Sequence, residues 1–170
     1  MIFIKEGVKM LMFFKLVFLN LIIFSFGSIS PVNDNEVLNR IKEKISYQND
    51  EFIFLNFMNI GDCSKYLNLT FSAYDCVSKR FKELDLPFSS KFIVVVGCNR
   101  EIEINRFKKI YNWDGLCFFN PGNVKEKLNL PPDTWLAVFK NDTCLINFSL
   151  EAKITCDTLF NVLKNYISNR

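Results

Sequence analysis

Residues 91–97 read Lys-Phe-Ile-Val-Val-Val-Gly, a branched and aromatic run with no polar alternation. Such a run marks a strand covered on both faces, as in a parallel sheet. Parallel neighbours need long crossovers, usually helical, and the sequence on either side supplies them. Upstream, residues 52–57 (FIFLNF) form a second buried strand that ends at the loop Met58-Asn-Ile-Gly-Asp62. From Ser64 onward Leu67, Tyr74, Val77, Phe81 and Leu84 share one helical stripe, so a helix is expected to about Asp85, with a kink at residues 68–70. Further back, Asp34 offers an N-cap for a short amphipathic helix carrying Val37, Leu38, Ile41 and Ile45.

Downstream, Asn99 is positioned to cap a helix carrying Ile104, Phe107, Ile110 and Tyr111. Asp114-Gly115 then turns the chain into a short strand, residues 116–119, closed by Pro121-Gly122. A brief helix around residues 124–128 leads through Leu130-Pro-Pro-Asp-Thr134 to two strands, residues 135–139 and 143–148, joined by a turn at Lys140-Asn-Asp142. Two strands so joined read as a hairpin. Leu159, Phe160, Leu163, Tyr166 and Ile167 line one face of a last helix capped near Thr155. Early strand-helix alternation demands parallel pairing, and the closing hairpin adds antiparallel strands. The expected class is therefore α/β with a central mixed sheet.

The composition suits one packed domain: 170 residues, 49% apolar, 23% charged and 15% aromatic. Formal charge is +3, and Lys5, Lys9 and Lys15 against Glu6 supply two of those charges. The rest of the chain is nearly neutral, which leaves no basic footprint for nucleic acid. The chain contains no histidine. That excludes Ser-His-Asp and Cys-His activation, His-ligated zinc and an imidazole pH switch.

The three lysines precede an apolar core, residues 16–26 (LVFLNLIIFSF), and the small residues Gly27, Ser28 and Ser30. This is the order of a secretory signal peptide, and 11 apolar residues are short for a span of about 20. Residues 1–30 are read as a signal peptide, with an uncleaved membrane anchor as the alternative, and residues 31–170 as the domain. Export to a periplasmic or other extracytoplasmic space makes disulfides admissible for Cys63, Cys76, Cys98, Cys117, Cys144 and Cys156. Six cysteines allow fifteen pairings, and spacing does not choose among them. No Cys-x-x-Cys pair is present, so no metal site is expected. Cys98, Cys117 and Cys144 sit in or beside apolar runs, where free thiols are commonly buried. Asn68, Asn141 and Asn147 begin N-x-Ser/Thr triplets that matter only in a eukaryotic secretory pathway.

Asn56-Phe57 with Cys63 downstream, the run Phe-Ile-Val-Val-Val-Gly-Cys-Asn-Arg-Glu over residues 92–101, Phe118-Phe-Asn-Pro-Gly122 and Leu130-Pro-Pro-Asp-Thr-Trp-Leu-Ala-Val-Phe139 resemble the thioredoxin-like superfamily. The likeness is to its exported redoxin branch of thiol-disulfide oxidoreductases, over roughly residues 35–168. It implies a three-layer α/β/α sandwich ending in a β-hairpin and helix, with no cofactor and with protein thiols, disulfides or a peptide as partner. It also implies a cis-proline facing the active cysteine, a role that falls on Pro132, with Thr134 following; Pro131 is the alternative. X-Pro bonds tolerate the cis form because its cost there is only about 0.5–1 kcal/mol.

The chain departs from that family at the redox motif, where Cys63-Ser-Lys-Tyr66 stands for Cys-x-x-Cys. Tyr66 occupies the place of the resolving thiol that normally frees a mixed disulfide. Cys76 lies about 20 Å along an intact helix, beyond the roughly 7 Å that a disulfide permits. Cys63 nonetheless begins a helix, where unpaired N–H groups and Lys65 favour thiolate while Asp62 opposes it. The expected site is thus Cys63 as nucleophile, with Pro132, Thr134 and Tyr66 contacting substrate. The Pro and Thr that precede a peroxiredoxin cysteine are missing from residues 57–63, which disfavours peroxidase chemistry. Three readings follow: one-cysteine thiol-disulfide exchange, a non-catalytic binding or assembly module of the cell envelope, or a structural disulfide framework that pairs all six cysteines.

Overall fold

Residues 30–31, 35–48, 50–120, 124–149 and 154–168 are described by the computed structural model. The leader before Ser30, the cap at Asp34 and the Pro121-Gly122 turn lie outside them. Among the described residues six strands, β1 (Ser30–Pro31), β2 (Phe52–Asn59), β3 (Ser90–Gly97), β4 (Leu116–Asn120), β5 (Thr134–Lys140) and β6 (Thr143–Ser149), form one sheet. Its order is β1-β6-β5-β2-β3-β4. The pairs β2/β3 and β3/β4 are parallel, while β2/β5, β5/β6 and β1/β6 are antiparallel.

Five helices, α1 (Asn35–Lys44), α2 (Ser64–Glu83), α3 (Glu103–Tyr111), α4 (Val124–Lys127) and α5 (Cys156–Ser168), cover the two faces. Alternate residues of β2 divide between two cores. Phe52, Phe54 and Met58 meet Leu67, Val77 and Phe81 of α2, Phe107 of α3, and Leu159, Phe160 and Leu163 of α5. Ile53, Leu55 and Phe57 meet Val37, Leu38 and Ile41 of α1, and Val124 of α4. Because β2, β3 and β4 advance across the sheet in one direction, crossovers of one hand put α2 and α3 on the same face. The result is a three-layer α/β/α sandwich with a mixed sheet, with β2 and β3 as the doubly covered strands that KFIVVVG announced.

The chain differs from the sequence reading in four places. Ser30-Pro31 is a short edge strand against Thr143-Cys144. The helix α2 runs unbroken through residues 68–70, because Thr70 turns its hydroxyl back onto the carbonyls of Tyr66 and Leu67 instead of competing with the helix. The helix α3 begins at Glu103, and Asn99 does not cap it; the Asn99 backbone N–H donates to the Glu103 side chain. The disulfide joins Cys76 of α2 to Cys156 of α5, with Cα atoms 5.8 Å apart across 80 residues. The other four cysteines carry free thiols, so a framework of three bridges does not form. By contrast the Thr155 cap holds, its hydroxyl accepting the Thr158 N–H at 3.2 Å.

Candidate functional site

Cys63 stands at the carboxyl edge of the sheet, where β2 passes through a short loop into α2. It is exposed and occupies the N-cap position in extended backbone (φ −72°, ψ 123°) with no side-chain capping bond. Its carbonyl accepts the Tyr66 N–H at 3.0 Å, closing the first turn. In that turn Ser64, Lys65 and Tyr66 are exposed, and Leu67 is the first residue to reach the core. A terminus of this kind presents free backbone N–H donors to whatever stands in front of it.

The loop before Cys63 is fixed from a distance. Tyr111, at the end of α3, accepts the Gly61 N–H at 3.1 Å and donates to the Asp62 carbonyl at 2.6 Å. The Asp62 carboxylate accepts the Asn59 N–H, while the Asp62 N–H donates to the Asn59 carbonyl at 3.2 Å. Gly61 has φ +109°, a conformation that a side chain would strain. Tyr111 couples the loop to the element that follows β3.

The segment entering β5 comes to the same edge. Lys125 of α4 donates to the Pro132 carbonyl at 2.8 Å. Burial pushes its ammonium down from the usual lysine value, and Asp133 and then Asp62 oppose that shift by their charge. One cation thus lies within electrostatic reach of both the Cys63 loop and the proline turn. The two are also joined by rings: Tyr66 meets Trp135 edge-on, centroids 5.2 Å apart.

The expected cis-proline is not formed, since every described peptide bond is trans. The reason is the turn itself. The Thr134 N–H donates to the Pro131 carbonyl at 3.0 Å, which places Pro132 second in a four-residue turn. A trans proline suits that position, whereas a cis-proline turn carries the proline third. Pro131 and Pro132 are exposed, and Tyr66 is 41% exposed. Thr134 is buried at 1% exposure, with its N–H spent in the turn and its hydroxyl without a partner. Of the four predicted residues, then, Cys63, Tyr66 and Pro132 are exposed, Thr134 is buried, and the link between the two segments is the Tyr66–Trp135 ring contact.

Sequence reading missed Tyr111, Lys125, Trp135 and the side chain of Asn56. Asn56 is fully buried in β2, its Nδ2 donating to the Trp135 carbonyl at 3.2 Å. The Asn56 Oδ1 and Trp135 Nε1 atoms are buried without a hydrogen-bond partner. A polar residue inside an otherwise apolar strand was the one available signal; the other three act through contacts between distant segments. No metal-binding group of three acidic or cysteine side chains occurs among the described residues. Nor, among them, is any helix long and apolar enough to cross a membrane.

No protein-family model matches the chain, and no curated protein matches it. Among solved structures it is similar to the thioredoxin domain of a thiol-disulfide oxidoreductase from Bacteroides vulgatus, at 12% identity and TM-score 0.45, covering 70% of this chain and 81% of that one. It is similar also to a thiol:disulfide interchange protein from Bacteroides sp., at 12% identity and TM-score 0.47, covering 70% and 74%. A third is a secreted disulfide oxidoreductase of Mycobacterium tuberculosis, at 10% identity and TM-score 0.42, covering 71% and 85%.

Proposed function

We propose that this protein performs thiol-disulfide exchange through Cys63 as its single nucleophile, on protein or peptide disulfides outside the cytoplasm. The observation that supports the reading is the exposed, free Cys63 sulfur at the N-terminus of the 20-residue helix α2. The Cys63 thiolate attacks one sulfur of a client disulfide. A bond forms between Cys63 and that sulfur, the client disulfide breaks, and the second client sulfur leaves as a thiolate. Tyr66 stands where the family's resolving thiol would be, so the mixed disulfide persists until another thiol attacks it. The ring of Tyr66 and the exposed face of Pro132 flank the bound client. The leader, residues 1–30, exports the chain and is either removed or kept as a membrane tether.

An aromatic disulfide reagent that releases a coloured thiolate tests this directly. The full-length chain is expected to give a fast burst that Cys63→Ser abolishes, while the buried Cys144 reacts only after unfolding. If the burst survives Cys63→Ser, the exchange reading is wrong.

One observation favours a second reading, in which the groove binds a partner without chemistry. Tyr66 does not merely lack sulfur; it packs on Trp135 and leaves 41% of its surface exposed, an aromatic surface that suits a protein contact. On this reading the chain binds its partner reversibly and Cys63→Ser binds equally well.

A further inference from the structure

We infer that Cys98 is the resolving thiol of the Cys63 centre, a role that rests on the exchange chemistry proposed above. With Tyr66 at the usual resolving position, any internal resolution must come from one of the five other cysteines, and the fold removes four. Cys76 and Cys156 are tied to each other. Cys144 is 2% exposed and packs in the core beneath α1, on the face opposite α2. Cys117 pairs with Val94 while Asn120 pairs with Gly97, which sets Cys117 three residues, or roughly 10 Å, back from the edge on which Cys63 stands.

Cys98 alone meets both requirements of edge and face. The register places Asn59 beside Gly97 at the carboxyl ends of β2 and β3. Cys98 is the next residue after Gly97, and Cys63 follows Asn59 across one tight loop. Cys98 packs against the core that lies under α2 and α3, as does Ile60 in the Cys63 loop. Its sulfur is half-buried and free, lying 3.5 Å from the Arg100 carbonyl and 3.7 Å from the Val96 carbonyl. The Tyr111 hydroxyl holds the Cys63 loop against α3, the helix that the Cys98 segment enters.

Closing a bond requires Cα atoms within about 7 Å, so the edge must rearrange, and the first turn of α2 is built to do so. Cys63 makes no side-chain cap, no acidic residue occupies the first turn, and Ser64, Lys65 and Tyr66 are exposed. Unwinding those three residues adds roughly 2 Å of reach apiece, because an extended residue spans about 3.5 Å against 1.5 Å in the helix.

The step balances without an added oxidant. The Cys98 thiol gives its proton to solvent, and its thiolate attacks the Cys63 sulfur of the mixed disulfide. The Cys63–Cys98 bond forms, the bond from Cys63 to the client breaks, and the client sulfur leaves as a thiolate and is protonated. The two electrons lost by the cysteine pair reside on the reduced client, and a dithiol reductant resets the pair.

The experiment uses the full-length chain and oxidised glutathione, following the glutathione adduct on Cys63 by intact mass and mapping disulfides without reduction. In the unsubstituted protein the adduct is expected to collapse with release of glutathione and appearance of a Cys63–Cys98 link. In Cys98→Ser the adduct is expected to last at least tenfold longer. Equal lifetimes, or a link from Cys63 to Cys117 or Cys144, would overturn the assignment of Cys98 while leaving exchange at Cys63 standing. Absence of any adduct on Cys63 in both proteins overturns the exchange reading itself. Cys98→Ala serves if Cys98→Ser fails to fold, and the disulfide map of the unsubstituted chain decides independently of either variant.

Discussion

Tyr66, three residues into the helix that Cys63 begins, packs its ring edge-on against Trp135 at a centroid distance of 5.2 Å. Trp135 belongs to the strand that follows the proline turn, so this contact joins the start of the helix to that turn. Edge-to-face pairs of this kind add about 0.5–1.5 kcal/mol beyond area burial.

Position 66 offers a direct test of the exchange chemistry proposed for Cys63. Cα atoms three residues apart on a helix lie about 5 Å from each other, inside the Cα range that a disulfide spans. Tyr66→Cys is expected to give an oxidised form with a Cys63-to-66 link on non-reducing peptide maps, and a glutathione adduct that collapses at least tenfold faster than in the parent. Loss of the ring contact should lower stability by about 1 kcal/mol, read by urea melts.

The Tyr111 hydroxyl reaches the Cys63 loop at three points, accepting the Gly61 N–H and lying within hydrogen-bond distance of the Asp62 and Asn59 carbonyls. Tyr111→Phe keeps the ring stacked on Phe107, whose centroid is 4.4 Å away, and deletes these contacts. Losing such bonds typically costs about 1–3 kcal/mol when a partner is left unsatisfied. The expected outcome is faster amide exchange at Gly61 and Asp62 with little change in β3. Unchanged exchange at Gly61 would mean the loop is held by its own turn.

The Cys76–Cys156 bridge closes a segment with a sequence separation of 80 residues and pins α5 to α2. Restricting a loop of that size in the unfolded chain stabilises by roughly 2–5 kcal/mol. Cys76→Ser with Cys156→Ser should lower the denaturation midpoint by that much, and a reductant should do the same to the parent but nothing further to the double variant. Because Cys63 is not in the bridge, its reactivity toward glutathione should survive.

Burial pushes the Cys144 thiol up to about 11 from an ordinary 9.0. The folded state therefore holds its proton after the unfolded state has lost it, and deprotonation favours unfolding. The contribution is complete below pH 9 and is lost as pH rises from about 9 to 11, at about 1.4 kcal/mol per pH unit. Denaturant melts across that window should show the loss in the parent and a shallower decline in Cys144→Val. Equal slopes would place the alkaline sensitivity elsewhere, the raised Cys117 and Tyr47 groups being the next to test.

The order of strands and helices was legible because burial on one face or two imposes its own period on the chain. KFIVVVG, the stripe from Leu67 to Phe81 and the hairpin around Asn141-Asp142 all form where periodicity and turn chemistry put them. From order and crossover rules the sandwich follows, and with it the placing of Cys63 at a helix start. The trans geometry of the prolines was not legible, because either isomer fits the letters Pro-Pro-Asp-Thr, and only the bond from Thr134 to Pro131 selects the turn.

Local sequence by itself determined the layers, the edge where a thiol is presented and the absence of a second sulfur at position 66, since these depend on neighbours a few residues apart. Only the tertiary structure decided which cysteines pair, which remain free at the Cys63 edge, and that Tyr111, Lys125 and Trp135 hold the site together. Those depend on register and on packing between segments 50 to 80 residues apart, distances over which one-dimensional spacing carries no geometric information.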